Sequence, residues 1–149
     1  MKNITTILLF ILSIHVATAS TDEELSKSVS NTWINTSSGT GADVIESVTY
    51  NADGTFKSSY LITYKDTDHT HDAIITSGKW FISKGVFTEI VDQSSAPARF
   101  PVGTTFRRTF DYISSGKITL RAEDGQTTAE LWSIDEAKKH FPNASDIKP

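Results

Sequence analysis

Turn signals cut the stretch from Trp33 to Ser133 into eight short segments with alternating apolar residues, and this cadence restricts the chain more than any single motif. Asn51-Ala52-Asp53-Gly54, Lys84-Gly85, Ser114-Ser115-Gly116 and Asp124-Gly125 are hairpin formers, with glycine supplying the positive φ that tight turns require. The segments between them read as strands: Trp33 to Asn35, Val44 to Tyr50, Thr55 to Lys65, Asp72 to Ser83, Val86 to Val91, Thr104 to Ile113, Lys117 to Ala122 and Thr127 to Ser133. In the third, Phe56, Tyr60, Ile62 and Tyr64 share one face, while Lys57, Ser59, Thr63 and Lys65 share the other. In the fourth, Ile74, Trp80 and Ile82 share a face with Gly78.

Helical patterning is confined to the two ends. Thr21 caps a short segment from Asp22 to Ser30, with Glu24 in capping-box position. Asp135 to Phe141 gives one or two further turns, acids first and bases last, stopped by Pro142. Eight short strands joined mostly by hairpin-length turns predict an all-β fold, an eight-stranded antiparallel up-and-down barrel with short N- and C-terminal helices. A β-sandwich is the alternative arrangement of the same strands.

The first nineteen residues belong to a different class of signal. Met1-Lys2-Asn3 is positively charged, Ile4 to Val16 is apolar and too short for a membrane span, and Ala17-Thr18-Ala19 places small residues before Ser20. Residues 1–19 read as a signal peptide cleaved after Ala19, and 20–149 as a single exported domain, secreted or periplasmic. A retained N-terminal anchor is the alternative, whereas cleavage leaves no stable membrane span. The chain has no cysteine, which excludes disulfide scaffolds, thiol chemistry and thiolate metal sites. Export without disulfides suits a bacterial periplasm or medium. The net charge of −4 argues against nucleic acid and anionic lipid as partners.

With the strands placed, the chain resembles the lipocalin-like (calycin) domains, in their small secreted bacterial form. A short helix precedes Asn31-Thr32-Trp33, where lipocalins usually carry G-x-W. Tyr50-Asn51-Ala52-Asp53-Gly54-Thr55-Phe56 resembles their second hairpin, Ser77-Gly78-Lys79-Trp80-Phe81-Ile82 resembles their mid-barrel G-x-W strand, and a helical stretch follows the eighth strand. The resemblance implies a barrel that binds a small hydrophobic or amphiphilic molecule.

The sixth strand carries the most telling side chains. Alternation puts Phe106, Arg108, Phe110 and Tyr112 on the inward face. A guanidinium is costly to bury unless paired, so Arg108 either orients a ligand carboxylate or is satisfied by Glu46 or Glu130. The expected ligand-binding set is Arg108, Phe106, Phe110, Tyr112, Tyr60, Tyr64 and Trp80. The competing expectation is a filled barrel. Phe56, Tyr60, Tyr64, Trp80, Phe106, Phe110, Tyr112 and Trp132 would nearly fill eight strands, which would make the protein an inhibitor or immunity-type factor. Its protein partner would meet the 92–103 loop, where Arg99-Phe100 stands between Pro97 and Pro101. The other reading of the loop is a closing lid whose Phe100 caps the barrel. Arg99, Arg107 and Arg108 either form a local basic spot or flank a loop in solvent.

Asp66, Asp68, His69, His71 and Asp72 form a hard-ligand cluster suited to zinc or nickel, although a polar turn holds such residues without metal. The chain has no G-x-S-x-G elbow, P-loop or H-E-x-x-H, and Glu46, Glu89, Glu123 and Glu130 are spread over separate strands. No catalytic residue, metal site or cofactor is assigned.

Overall fold

The computed structural model describes residues 20–65 and 72–141. In chain order the elements are α1 (Asp22–Val29), β1 (Thr32–Ser38), β2 (Ala42–Tyr50), β3 (Thr55–Tyr64), β4 (Asp72–Ser83), β5 (Val86–Ser94), β6 (Thr105–Ile113), β7 (Lys117–Ala122), β8 (Thr128–Ser133) and α2 (Ile134–His140). Every strand pairs antiparallel with its neighbour in sequence, and β8 returns to β1 through Trp33↔Ser133 and Ile34↔Trp132. The result is a closed eight-stranded up-and-down barrel, not a sandwich. Closure leaves no open sheet edge to invite another chain.

One end of the barrel is sealed. Helix α1 carries the capping box expected from its sequence, with Thr21 Oγ1 accepting from Glu24 N and Thr21 N donating to Glu24 Oε2. Its apolar content, Leu25 and Val29, is buried against the barrel. Val29 joins the core beneath Trp33, whose Nε1 donates to the Val29 carbonyl at 2.8 Å. The Asp22 carboxylate accepts from the backbone N–H groups of Lys84 and Gly85 at 2.7 and 2.8 Å, tying the helix to the β4–β5 hairpin. Above this floor, Tyr50, Phe56, Trp80 and Phe87 meet edge-on or tilted, with centroids 5.3–6.2 Å apart.

Helix α2 lies outside the barrel. Ala137 packs on Ile34, with Ile45, Trp132 and Phe141 around them. Trp132 therefore packs under α2 and does not fill the interior, which corrects its place among the barrel-filling aromatics. Leu131 and Ala129 take the inward positions of β8.

Two irregularities set the interior shape. At Gly78 the β4–β5 register shifts, and a Cβ there would stand 1.9 Å from the Ile90 carbonyl oxygen, so this site accepts only glycine. In β6 the register shifts between Phe110 and Tyr112, with Asp111 as the extra residue. The slip turns Tyr112 outward, where it is 55% exposed, and brings Ile113 against the core in its place. The inward placement of Tyr112 is thereby corrected.

Candidate functional site

The far half of the barrel, away from α1, holds a cavity of about 180 Å3. Its polar wall comes from neighbouring strands. Asn35, Glu46 and Tyr60 are directly opposed across β1, β2 and β3, and Glu89 on β5 faces Phe106 on β6. Val91, Leu120, Leu131 and Phe56 supply the apolar wall. Phe100 descends from the loop between β5 and β6 and stacks on Tyr60, with centroids 4.8 Å apart and rings 22° from parallel. Next to it Arg99 donates to the Tyr64 hydroxyl and lies 5.8 Å from that ring. The prolines and the Ala96 carbonyl, which accepts from both Arg99 and Phe100 N–H groups, shape the loop so that these side chains turn onto β3.

Arg108 does face the interior, and it is paired. Its Nη1 donates to Glu89 Oε2, and its guanidinium lies 5.2 Å from the Phe106 ring. The Glu89 carboxylate also accepts from the Tyr50 hydroxyl at 2.8 Å and is only 6% exposed. Burial works against the guanidinium, but Glu89, Tyr50 and Glu46 together hold the Arg108 pKa above its ordinary value. The expected partners are corrected accordingly. Glu130 lies outside the barrel, bonded to Lys117 at 2.6 Å, and Glu46 acts on Arg108 only as a nearby charge.

Glu46 is the second carboxylate of the cavity, and its hydrogen-bond donors are neutral. Asn35 Nδ2 donates to it at 3.3 Å, and the Tyr60 hydroxyl donates to it as well. Burial, then the negative charge of Glu89, push the Glu46 pKa up, and the surrounding donors only partly oppose this. Burial and the same two carboxylates raise the phenols of Tyr50 and Tyr60 far above their usual value, so both remain proton donors. Ser58, on the inward face of β3 between Phe56 and Tyr60, is 1% exposed and lies beside Glu46 and Tyr60. Its hydroxyl completes no hydrogen bond of ordinary geometry.

The structure thus brings together Arg108, Phe106 and Tyr60 of the expected set. Phe110 packs in the core against Phe87, Trp80 is a core ring donating to the Asn51 carbonyl, and Tyr64 sits at the rim with Arg99. None of these three lines the cavity, and Tyr112 is outside. Residues the sequence reading passed over are Glu89 as the partner of Arg108, Tyr50 and Asn35. A signal for Glu89 was present: in β5 it stands between Phe87 and Val91 at two-residue spacing, so its face was the apolar one. Arg107 pairs with Glu123 at 3.0 Å on the surface, so the three arginines form no basic spot.

The His69 and His71 cluster lies outside the described residues. Among the described residues no group of three or more His, Asp or Glu is placed to hold a metal ion. Among them also no helix is long and apolar enough to cross a membrane. No family model matches the chain, and no curated protein matches it.

Proposed function

We propose that this protein is an exported binder of one small amphiphilic molecule, held in the upper half of its barrel. The observation that carries the reading is the cavity itself. Apolar walls with a few convergent polar groups in a concave space are the usual make-up of a small-molecule site. At about 180 Å3 the space is below the roughly 300–1,000 Å3 of pockets that take drug-sized ligands. It compares with a cavity of about 150 Å3 that accommodates benzene. The cargo is therefore of single-ring size, smaller than the long apolar ligands a wider barrel would hold. The resemblance to lipocalin-like domains and the signal-like residues 1–19 support the same reading, which puts the working protein outside the cytoplasm. Arg99 and Phe100, the residue types that would anchor a protein partner on the 92–103 loop, are engaged with Tyr64 and Tyr60. This favours a cap over a docking surface.

Native mass spectrometry of the protein purified from its own export compartment tests the reading. The expected spectrum shows a chain beginning at Ser20, with an adduct of roughly 100–200 daltons that is lost on denaturation. A bare mass under conditions that keep the barrel folded would overturn it.

A further inference from the structure

The cavity holds three charged side chains, two carboxylates and one guanidinium, and they do not balance. Glu89 and Arg108 neutralise each other through a direct ion pair. Glu46 is left with Asn35, Tyr60 and Ser58 around it, all neutral. Among the described residues no cation other than Arg108 lines the space. A carboxylate facing a concave, largely apolar cavity is costly unless a positive charge meets it or it takes up a proton.

We propose that the cavity takes a small organic cation, an ammonium group carried on a single ring, with Glu46 as its counter-ion and the Tyr60–Phe100 stack as its wall. This rests on the cavity being a ligand site and names the class of ligand. An ammonium brings the cavity to neutrality, whereas a carboxylate would add a third negative charge beside Glu46 and Glu89. The Arg108 guanidinium is already committed to Glu89 and to the Phe106 face, so it offers an incoming acid little. Aromatic faces attract cations through their ring quadrupoles, and Tyr60, with Phe100 stacked on it, stands directly opposite the carboxylate that would hold the charge. The buried Ser58 hydroxyl supplies a further acceptor next to Glu46 for an ammonium proton.

Benzylamine, benzyl alcohol and benzoate form a matched set of nearly equal size carrying +1, 0 and −1 charge. Titration calorimetry of the intact protein at pH 7.5 is expected to rank them in that order. Benzylammonium should bind about tenfold or more tightly than the alcohol, and benzoate should give no heat. Glu46→Gln should bring the affinities of amine and alcohol to within about twofold of each other. In the unaltered protein, amine affinity should fall as the pH is lowered, because a proton on Glu46 competes with the ammonium, and alcohol affinity should stay flat. The charged and titratable groups facing Glu46 are Glu89 from β5, Arg108 from β6, Tyr60 from β3 and Tyr50 from its own strand. Among these Arg108 and the two phenols keep their protons throughout that range.

If the alcohol or benzoate binds as tightly as the amine, the cation assignment falls and the ligand cavity stands. If none of the three binds, the cavity reading falls and the assignment with it. The ranking in the unaltered protein decides the matter even if Glu46→Gln does not fold.

Discussion

Arg108→Met tests the charge arrangement on which the interior depends. The substitution keeps an unbranched chain of similar length against Phe106 but removes the guanidinium. Glu89, 6% exposed, would then keep only the Tyr50 hydroxyl, and Glu46 would be a second unpaired charge in the same cavity. Removing one partner of a buried ion pair costs about 3–5 kcal/mol. Against a total stability of about 5–15 kcal/mol, this leaves a marginal protein. At roughly 3–5 °C per kcal/mol for a domain of this size, the melting temperature should drop by on the order of 10–20 °C. Urea denaturation at pH 7 gives the free energy directly. The loss should be smaller at acid pH, where Glu46, whose pKa burial raises, takes up a proton and removes one of the two unpaired charges. Arg108→Met with Glu89→Gln removes both charges of the pair and should recover most of the loss. A single-variant cost under about 1 kcal/mol would mean that the pair is effectively solvated, and would refute the account of the cavity as a closed, charge-sensitive space.

Two further perturbations read other parts of the same design. Gly78→Ala forces a methyl group to within 1.9 Å of the Ile90 carbonyl, a backbone contact with no flexible end to yield, so loss of soluble folded protein or a cost above about 3 kcal/mol is expected by circular dichroism. Glu46→Gln should change the pH dependence of stability. A carboxyl whose pKa is raised on folding favours the folded state fully below its ordinary pKa, and that advantage is lost as pH rises through the raised value. Melting curves of the unaltered protein should therefore fall relative to Glu46→Gln between pH 4 and neutrality, and parallel curves would contradict the burial of Glu46.

The barrel was legible because two independent signals agreed. Glycine-bearing turns fixed where the strands end, and two-residue alternation fixed which side chains face inward in β3 and β4. Inward placement of Phe106, Arg108 and Tyr60 follows from alternation alone. It failed where the backbone departs from strict alternation. The extra residue in β6 leaves no trace among Phe110, Asp111 and Tyr112, since an aromatic residue reads as inward at either register. Adjacent Leu131 and Trp132 are apolar on both faces of β8 because α2 covers the outside, and the apolar Ala137 and Phe141 of that helical stretch were the available hint. Which acid meets Arg108 is a matter of diagonal contact between β5 and β6, and alternation can narrow that choice without making it.

Whether the barrel is hollow or filled turns on these same departures. With Tyr112 and Trp132 inside it would be nearly full. With both outside, and Phe110 and Trp80 drawn into the lower core, the upper half retains about 180 Å3. Ala129 lines that space from β8, opposite Leu120, and is the smallest apolar residue there. Ala129→Phe would occupy roughly 100 Å3 of it, which at about 24 cal/mol per Å3 of cavity is worth up to ~2 kcal/mol before the loss of side-chain freedom is set against it. The expected variant is thus as stable as the parent or more so by up to ~2 kcal/mol in urea, and it binds none of the ring compounds. In an interior already filled, the same ring would be overpacked and would cost about 1–3 kcal/mol. Destabilisation of that size would show that there is no room in the barrel for a ligand, whereas gained stability with lost binding would put the room and its use in the same place.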